Sequence, residues 1–91
     1  MFLEKNGFRV ELIRDANARA DALRPDPPAH TSRPGVSQFA FETDDLAAVR
    51  RALEARGVAI TWEFENADLG VRFLFVRDPE GTLVQFLERL R

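Results

Sequence analysis

The chain has 91 residues, no cysteine, a formal net charge of -2, and 45% hydrophobic against 31% charged residues. This length suits one small domain that buries roughly 60 to 65% of the surface its unfolded form exposes, and the balance excludes a disordered chain. Lys and Arg are scattered, which excludes the basic stripe of a nucleic-acid binder. The missing cysteines exclude disulfides, thiolate zinc sites and thiol nucleophiles. No apolar run approaches a membrane span. With charges at Glu4, Lys5, Arg9, Glu11 and Arg14, the front of the chain is unlike a signal peptide, so a cytoplasmic protein without membrane contact is expected.

From Gly7 to Arg14 the residues alternate, Phe8, Val10 and Leu12 on one face and Arg9, Glu11 and Ile13 on the other, which predicts a strand. Residues 15 to 34 hold Pro25, Pro27, Pro28 and Pro34 and read as a linker, because each proline removes a backbone donor. An Ala-rich stretch from Ala16 to Leu23 can form a short helical turn that the prolines then stop. His30, inside this linker, reads as a surface histidine.

Val36 to Glu42 alternates again, with Phe39 and Phe41 opposite Gln38, Ala40 and Glu42. Thr43 or Asp44 can cap a helix of about three turns in which Leu46, Val49 and Leu53 fall at helical spacing before Gly57 stops it. Three further strands follow, carrying Val58 to Phe64, Val71 to Phe75 and Leu83 to Leu87, with turns at Asn66 to Gly70 and Asp78 to Gly81. The strand phenylalanines are read as core and not as a stacking platform. Trp62 is expected to pack with Ile60 and Phe64, or to stack on a ligand from the rim of a cup.

The fold class is therefore α+β: one βαβββ module over residues 35–91, preceded by the 15–34 linker and a strand within 1–14. Residues 35 to 88 resemble the second module of the vicinal oxygen chelate superfamily, the glyoxalase, bleomycin-resistance and extradiol dioxygenase group. The most specific parts of the likeness are the junction Phe41-Glu42-Thr43-Asp44-Asp45-Leu46 and the turn Asp78-Pro79-Glu80-Gly81. Residues 2 to 14 resemble the last strand of a preceding module. The resemblance implies that the module pairs with another to form a cup-shaped sheet, here in a homodimer whose chains complete each other, because the face of Phe8, Val10 and Leu12 would otherwise stay bare.

The resemblance also implies cup-facing positions at Glu11, Gln38 and Gln85, as metal or ligand contacts, with Glu11 a possible catalytic base and Trp62 a ligand contact. It implies a divalent metal (nickel, zinc or iron), or none. Metal-using relatives hold His and Glu where this chain has Gln38 and Gln85, and an amide oxygen is a poorer, uncharged donor. The competing reading makes Glu11 a solvated carboxylate and the two glutamines a cross-strand hydrogen-bonded pair. No phosphate-cradling loop, Gly-x-Ser-x-Gly or His-Glu-x-x-His occurs, which removes support for nucleotide-binding and hydrolase readings. Three functions stay open: a small-molecule binder of the bleomycin-resistance type, a metal-dependent lyase, isomerase or dioxygenase, and a dimerising fragment without activity.

Overall fold

A computed structural model describes residues 1–17 and 24–90. Six strands, one α-helix and one 3-10 turn follow in the order β1 (Phe2–Lys5), β2 (Phe8–Glu11), the 3-10 turn (Ala29–Ser32), β3 (Phe39–Glu42), α1 (Leu46–Ala55), β4 (Trp62–Asn66), β5 (Val71–Arg77) and β6 (Leu83–Arg89). The expected α+β class and the βαβββ order hold. The four module strands form one sheet in the order β3-β6-β5-β4, with β3 parallel to β6 and the other pairs antiparallel.

The amino-terminal segment differs from the single strand expected within residues 1–14. It folds as a two-stranded hairpin, β1 antiparallel to β2, with Phe2 opposite Glu11 and Lys5 opposite Phe8. The cause lies in Asn6 and Gly7, both at positive φ (54° and 82°). An Asn-Gly pair accepts the two left-handed conformations that a tight hairpin turn needs, and its twist matches that of the flanking strands. The cross-strand register puts Leu3, Phe8 and Val10 on one face and Phe2, Glu4, Arg9 and Glu11 on the other.

Helix α1 begins one residue later than a cap at Asp44 would place it, and two later than one at Thr43. Asp45 is the cap: its carboxylate accepts from the Ala48 N–H at 3.0 Å, while Thr43 Oγ1 accepts from the Asp45 N–H at 3.1 Å. A second acceptor arrives from across the sheet, Glu88 Oε1 taking the Leu46 N–H at 2.8 Å. The open amides of the first turn thus gain two carboxylate partners, one local and one from β6. At the other end Gly57 adopts φ 74° and its N–H bonds Glu54 O at 3.0 Å, the left-handed stop expected from the sequence.

The apolar stripe of α1 packs on one face of the sheet. Leu46, Leu74 and Val76 are buried there, with Leu53, Val58, Ile60, Val84 and Phe86 against them. The sequence pattern joined Val58 and Ile60 to Trp62 and Phe64 on a single face. The ladder of β4 starts only at Trp62, so Val58 and Ile60 serve the helix-side core while Trp62 and Phe64 turn to the opposite, concave face. Likewise the ladder of β3 is limited to Phe39–Glu42, shorter than the Val36 to Glu42 stretch that alternates.

Within the stretch read as a linker, residues 24–34 include a 3-10 turn, and most of the Ala16 to Leu23 turn lies outside the described residues. Ala29–Ser32 forms the 3-10 turn, and His30, expected at the surface, is buried in it. Its imidazole meets Phe75 edge-on with centroids 5.1 Å apart, because the segment folds back across the concave face. The strand phenylalanines are likewise not uniformly core. Phe75 is buried at 2% exposure, whereas Phe8 is 78%, Phe39 60% and Phe41 57% exposed, since they sit on the hairpin and on the edge strand β3, which α1 does not cover.

Candidate functional site

The hairpin, the segment after the 3-10 turn, and strands β3 and β6 enclose a cleft of about 1610 Å³. Its apolar wall includes Phe8, Val10, Leu12, Val36 and Leu87. Its polar groups come from three separate places in the chain: Glu11 on β2, Gln38 just before β3, and Gln85 on β6. Alternation explains the last two. In the parallel ladder Ala40 lies opposite Gln85, and Gln38, two residues before Ala40, shares its face, while Phe39 and Phe41 align with Val84 and Phe86 on the other. Glu11 lies on the face of β2 opposite Phe8 and Val10 and borders the cleft at the end of that strand, where consecutive residues 7 to 13 all line it.

The polar groups differ in how well they are satisfied. Gln38 Oε1 is buried and has no hydrogen-bond partner, and no hydrogen bond joins Gln38 to Gln85 among the described residues. A cross-strand glutamine pair is therefore not formed here. Glu11 makes no ion pair among the described residues, although five arginines do so elsewhere. Arg9 pairs with Glu4 at 3.0 Å and Arg89 with Glu42 at 2.8 Å, both at the margin of the cleft. The Glu42 carboxylate hydrogen-bonds the exposed Arg89 guanidinium and raises its pKa above the ordinary value, so this cation is engaged. A buried amide oxygen without a donor costs free energy of roughly 1 to 3 kcal/mol in general, which a ligand N–H or O–H would recover.

Trp62 is not part of this cleft. It stands further across the concave face, stacked on Phe64 at 5.3 Å and meeting Phe73 edge-on at 5.6 Å. The pairing with Phe64 is as the sequence suggested. The pairing with Ile60 is replaced by Phe73 and Phe75, whose rings come from β5.

Among the described residues no three His, Cys, Asp or Glu side chains converge on a point where they could hold a divalent ion. The cleft offers the Glu11 carboxylate, two neutral amides, and a Glu42 already held by Arg89. Nickel, zinc and iron sites favour imidazole and several carboxylates, so this chain's own residues do not fit such an ion.

Sequence reasoning missed the β1 strand, the 3-10 turn and the burial of His30. The first was signalled by Asn6-Gly7 between apolar residues, the strongest short-range hairpin cue. The other two depend on a tertiary contact with Phe75 that no local pattern carries.

The architecture and cleft belong to a recognisable class. The sequence profile of the Glyoxalase/Bleomycin resistance protein/Dioxygenase superfamily matches residues 1–86, and the chain belongs to that superfamily. Two solved structures share the fold. A glyoxalase family protein from Bacillus cereus has a TM-score of 0.55 at 22% identity, over 88% of this chain and 47% of its own. The protein SMU.1112c has a TM-score of 0.57 at 23% identity, over 96% of this chain and 67% of its own. The chain thus spans about half the length of the first and two thirds of the second. No curated protein matches it.

Proposed function

We propose that the chain binds a small organic molecule in the cleft between the hairpin and the β3/β6 edge, in the manner of a bleomycin-resistance-type binder. The observation that carries this reading is the meeting of Glu11, Gln38 and Gln85 in one largely apolar cleft, with the Gln38 amide oxygen buried and unpartnered. Small-molecule sites combine an apolar lining with a few convergent polar groups in this way. The cleft is larger than the roughly 300 to 1,000 Å³ usual for such sites, which agrees with an open trough that a second module narrows. A second copy of this chain is the module proposed, in a homodimer covering the exposed Leu3, Phe8 and Val10 face.

A thermal-shift screen of small molecules tests the reading. Compounds that stabilise the wild-type protein are expected to lose most of their effect on Gln38→Leu, which removes the acceptor while keeping an apolar side chain of similar size. Compounds that stabilise both proteins equally would remove the cleft from consideration.

Glu11 supports a second reading, a metal-dependent lyase, isomerase or dioxygenase, because its carboxylate lines the cleft without an ion pair among the described residues. This reading requires further ligands from another module or chain. Metal content by mass spectrometry, with Glu11→Ala as control, separates the two: a near-stoichiometric metal lost in the variant favours the enzyme.

A further inference from the structure

Residues 24 to 35 cross the concave face as a strap tied to the sheet at its start and braced internally. On one side Arg77 of β5 grips it, with Nη2 2.8 Å from Asp26 Oδ1 and 3.2 Å from the Arg24 carbonyl. Within the strap the Arg24 guanidinium donates to the carbonyls of His30, Arg33 and Pro34, which fixes the curvature of the 3-10 turn. Between these ties the His30 ring sits on Phe75, buried at 9% exposure, and its Nδ1 has no hydrogen-bond partner. The strap also borders the cleft, since Thr31, Arg33 and Gly35 line it.

The surroundings of that ring suit the neutral imidazole and oppose the cation. The charged group that acts on it is Arg24; Asp26 and Arg33 are the other charged side chains of the strap, and Arg77 of β5 pairs with Asp26. The carboxylate among them, Asp26, is engaged by Arg77. The residues of β4 and β6 that flank Phe75 in the ladder, Trp62 and Gln85, carry no charge. Protonation would therefore place a second cation beside Arg24 in a poorly solvated site. The ring contact is what the strap contributes to covering the sheet, so the proton and the strap position are coupled.

We propose that residues 24 to 35 form a pH-sensitive strap, closed over Phe75 while His30 is neutral and released from the concave face when His30 is protonated. Release uncovers Phe75 and widens one wall of the cleft. Burial, the largest influence on His30, holds its pKa below the ordinary 6.5, the Pro28 carbonyl opposes this in part, and Arg24 adds to it. The strap should accordingly stay closed at neutral pH and open in mild acid.

His30 and Trp62 are the chain's sole histidine and sole tryptophan, so both signals are unambiguous. The His30 ring protons, followed by NMR on the wild-type chain, are expected to titrate below 6.5. Trp62, 6.1 Å from Phe75 by ring centroids, is expected to red-shift its emission with the same midpoint while far-UV circular dichroism stays constant. In His30→Phe, or His30→Leu should the first fold poorly, the emission should not change over the same range. A His30 midpoint at or above 6.5, an emission change that persists in the variants, or one that coincides with loss of secondary structure would each overturn the proposal.

Discussion

The side chains that decide this molecule's behaviour are the few placed against their ordinary preference. His30 is buried with its pKa held down, so the unfolded chain takes up the proton first as pH falls. Folding stability is intact above about pH 6.5, declines as pH drops from there toward the folded-state value, and levels off below it. Urea midpoints measured between pH 7.5 and 5 should show this decline in the wild type and a smaller one in His30→Phe. Leu74 is the other extreme, at 0% exposure in the centre of the helix-side core. Leu74→Ala should cost about 2 to 5 kcal/mol by the same assay, a large part of the stability of a 91-residue chain.

At the scale of elements, α1 and the hairpin contrast. The helix is secured twice at its start, by Asp45 and by Glu88, and the Glu88 carboxylate also lies 3.4 Å from the Arg72 guanidinium. Asp45→Ala should therefore destabilise by about 1 kcal/mol, read from chemical denaturation, with Glu88 still holding Leu46 N–H. The hairpin has no such support, and every residue of both its strands is exposed. Its shape depends on the two left-handed residues of its turn. Gly7→Val, which forces a β-branched residue to φ 82°, should abolish the cross-strand contacts between Leu3 and Val10 in NMR spectra while leaving the β3 to β6 sheet folded.

This contrast also explains what could be read from the sequence. The helix, its Gly57 stop, and strands β5 and β6 are legible because their signals are local: a 3.6-residue stripe, a cap, and alternation bounded by turn residues. The facing of Gln38 and Gln85 was legible for the same reason, since alternation alone separates them from Phe39, Phe41, Val84 and Phe86. The change of face between Ile60 and Trp62 was not, because simple alternation runs straight through it. There Thr61 directs both its N–H and its hydroxyl to the Phe75 carbonyl, at 2.8 and 2.9 Å, and the regular ladder starts only afterwards. The cleft itself is also non-local. Glu11 and Gln85 are remote in sequence, and only the fold brings them to the border of one cleft.

For the whole molecule, the exposed apolar surface is the leading feature. Met1, Leu3, Phe8, Val10 and Leu12 on the hairpin, and Phe39 and Phe41 on β3, are each more than half exposed. Single chains seldom leave so large an apolar area open to water. Sedimentation equilibrium at micromolar concentration should therefore show a dimer, and Phe8→Glu together with Val10→Glu should shift it toward monomer. A wild-type chain that sediments as a monomer would leave the cleft as an open trough and remove the paired-cup reading.

In the function proposed above, this cleft is the place where the protein meets its ligand. Amide chemical-shift mapping during titration with a stabilising small molecule examines it most directly. Perturbations are expected to concentrate at residues 7 to 13, 36 to 42 and 85 to 89, with the Gln38 side-chain amide among the largest. Perturbations centred on Trp62, Phe64 and Phe73, or spread without regard to the cleft, would contradict it.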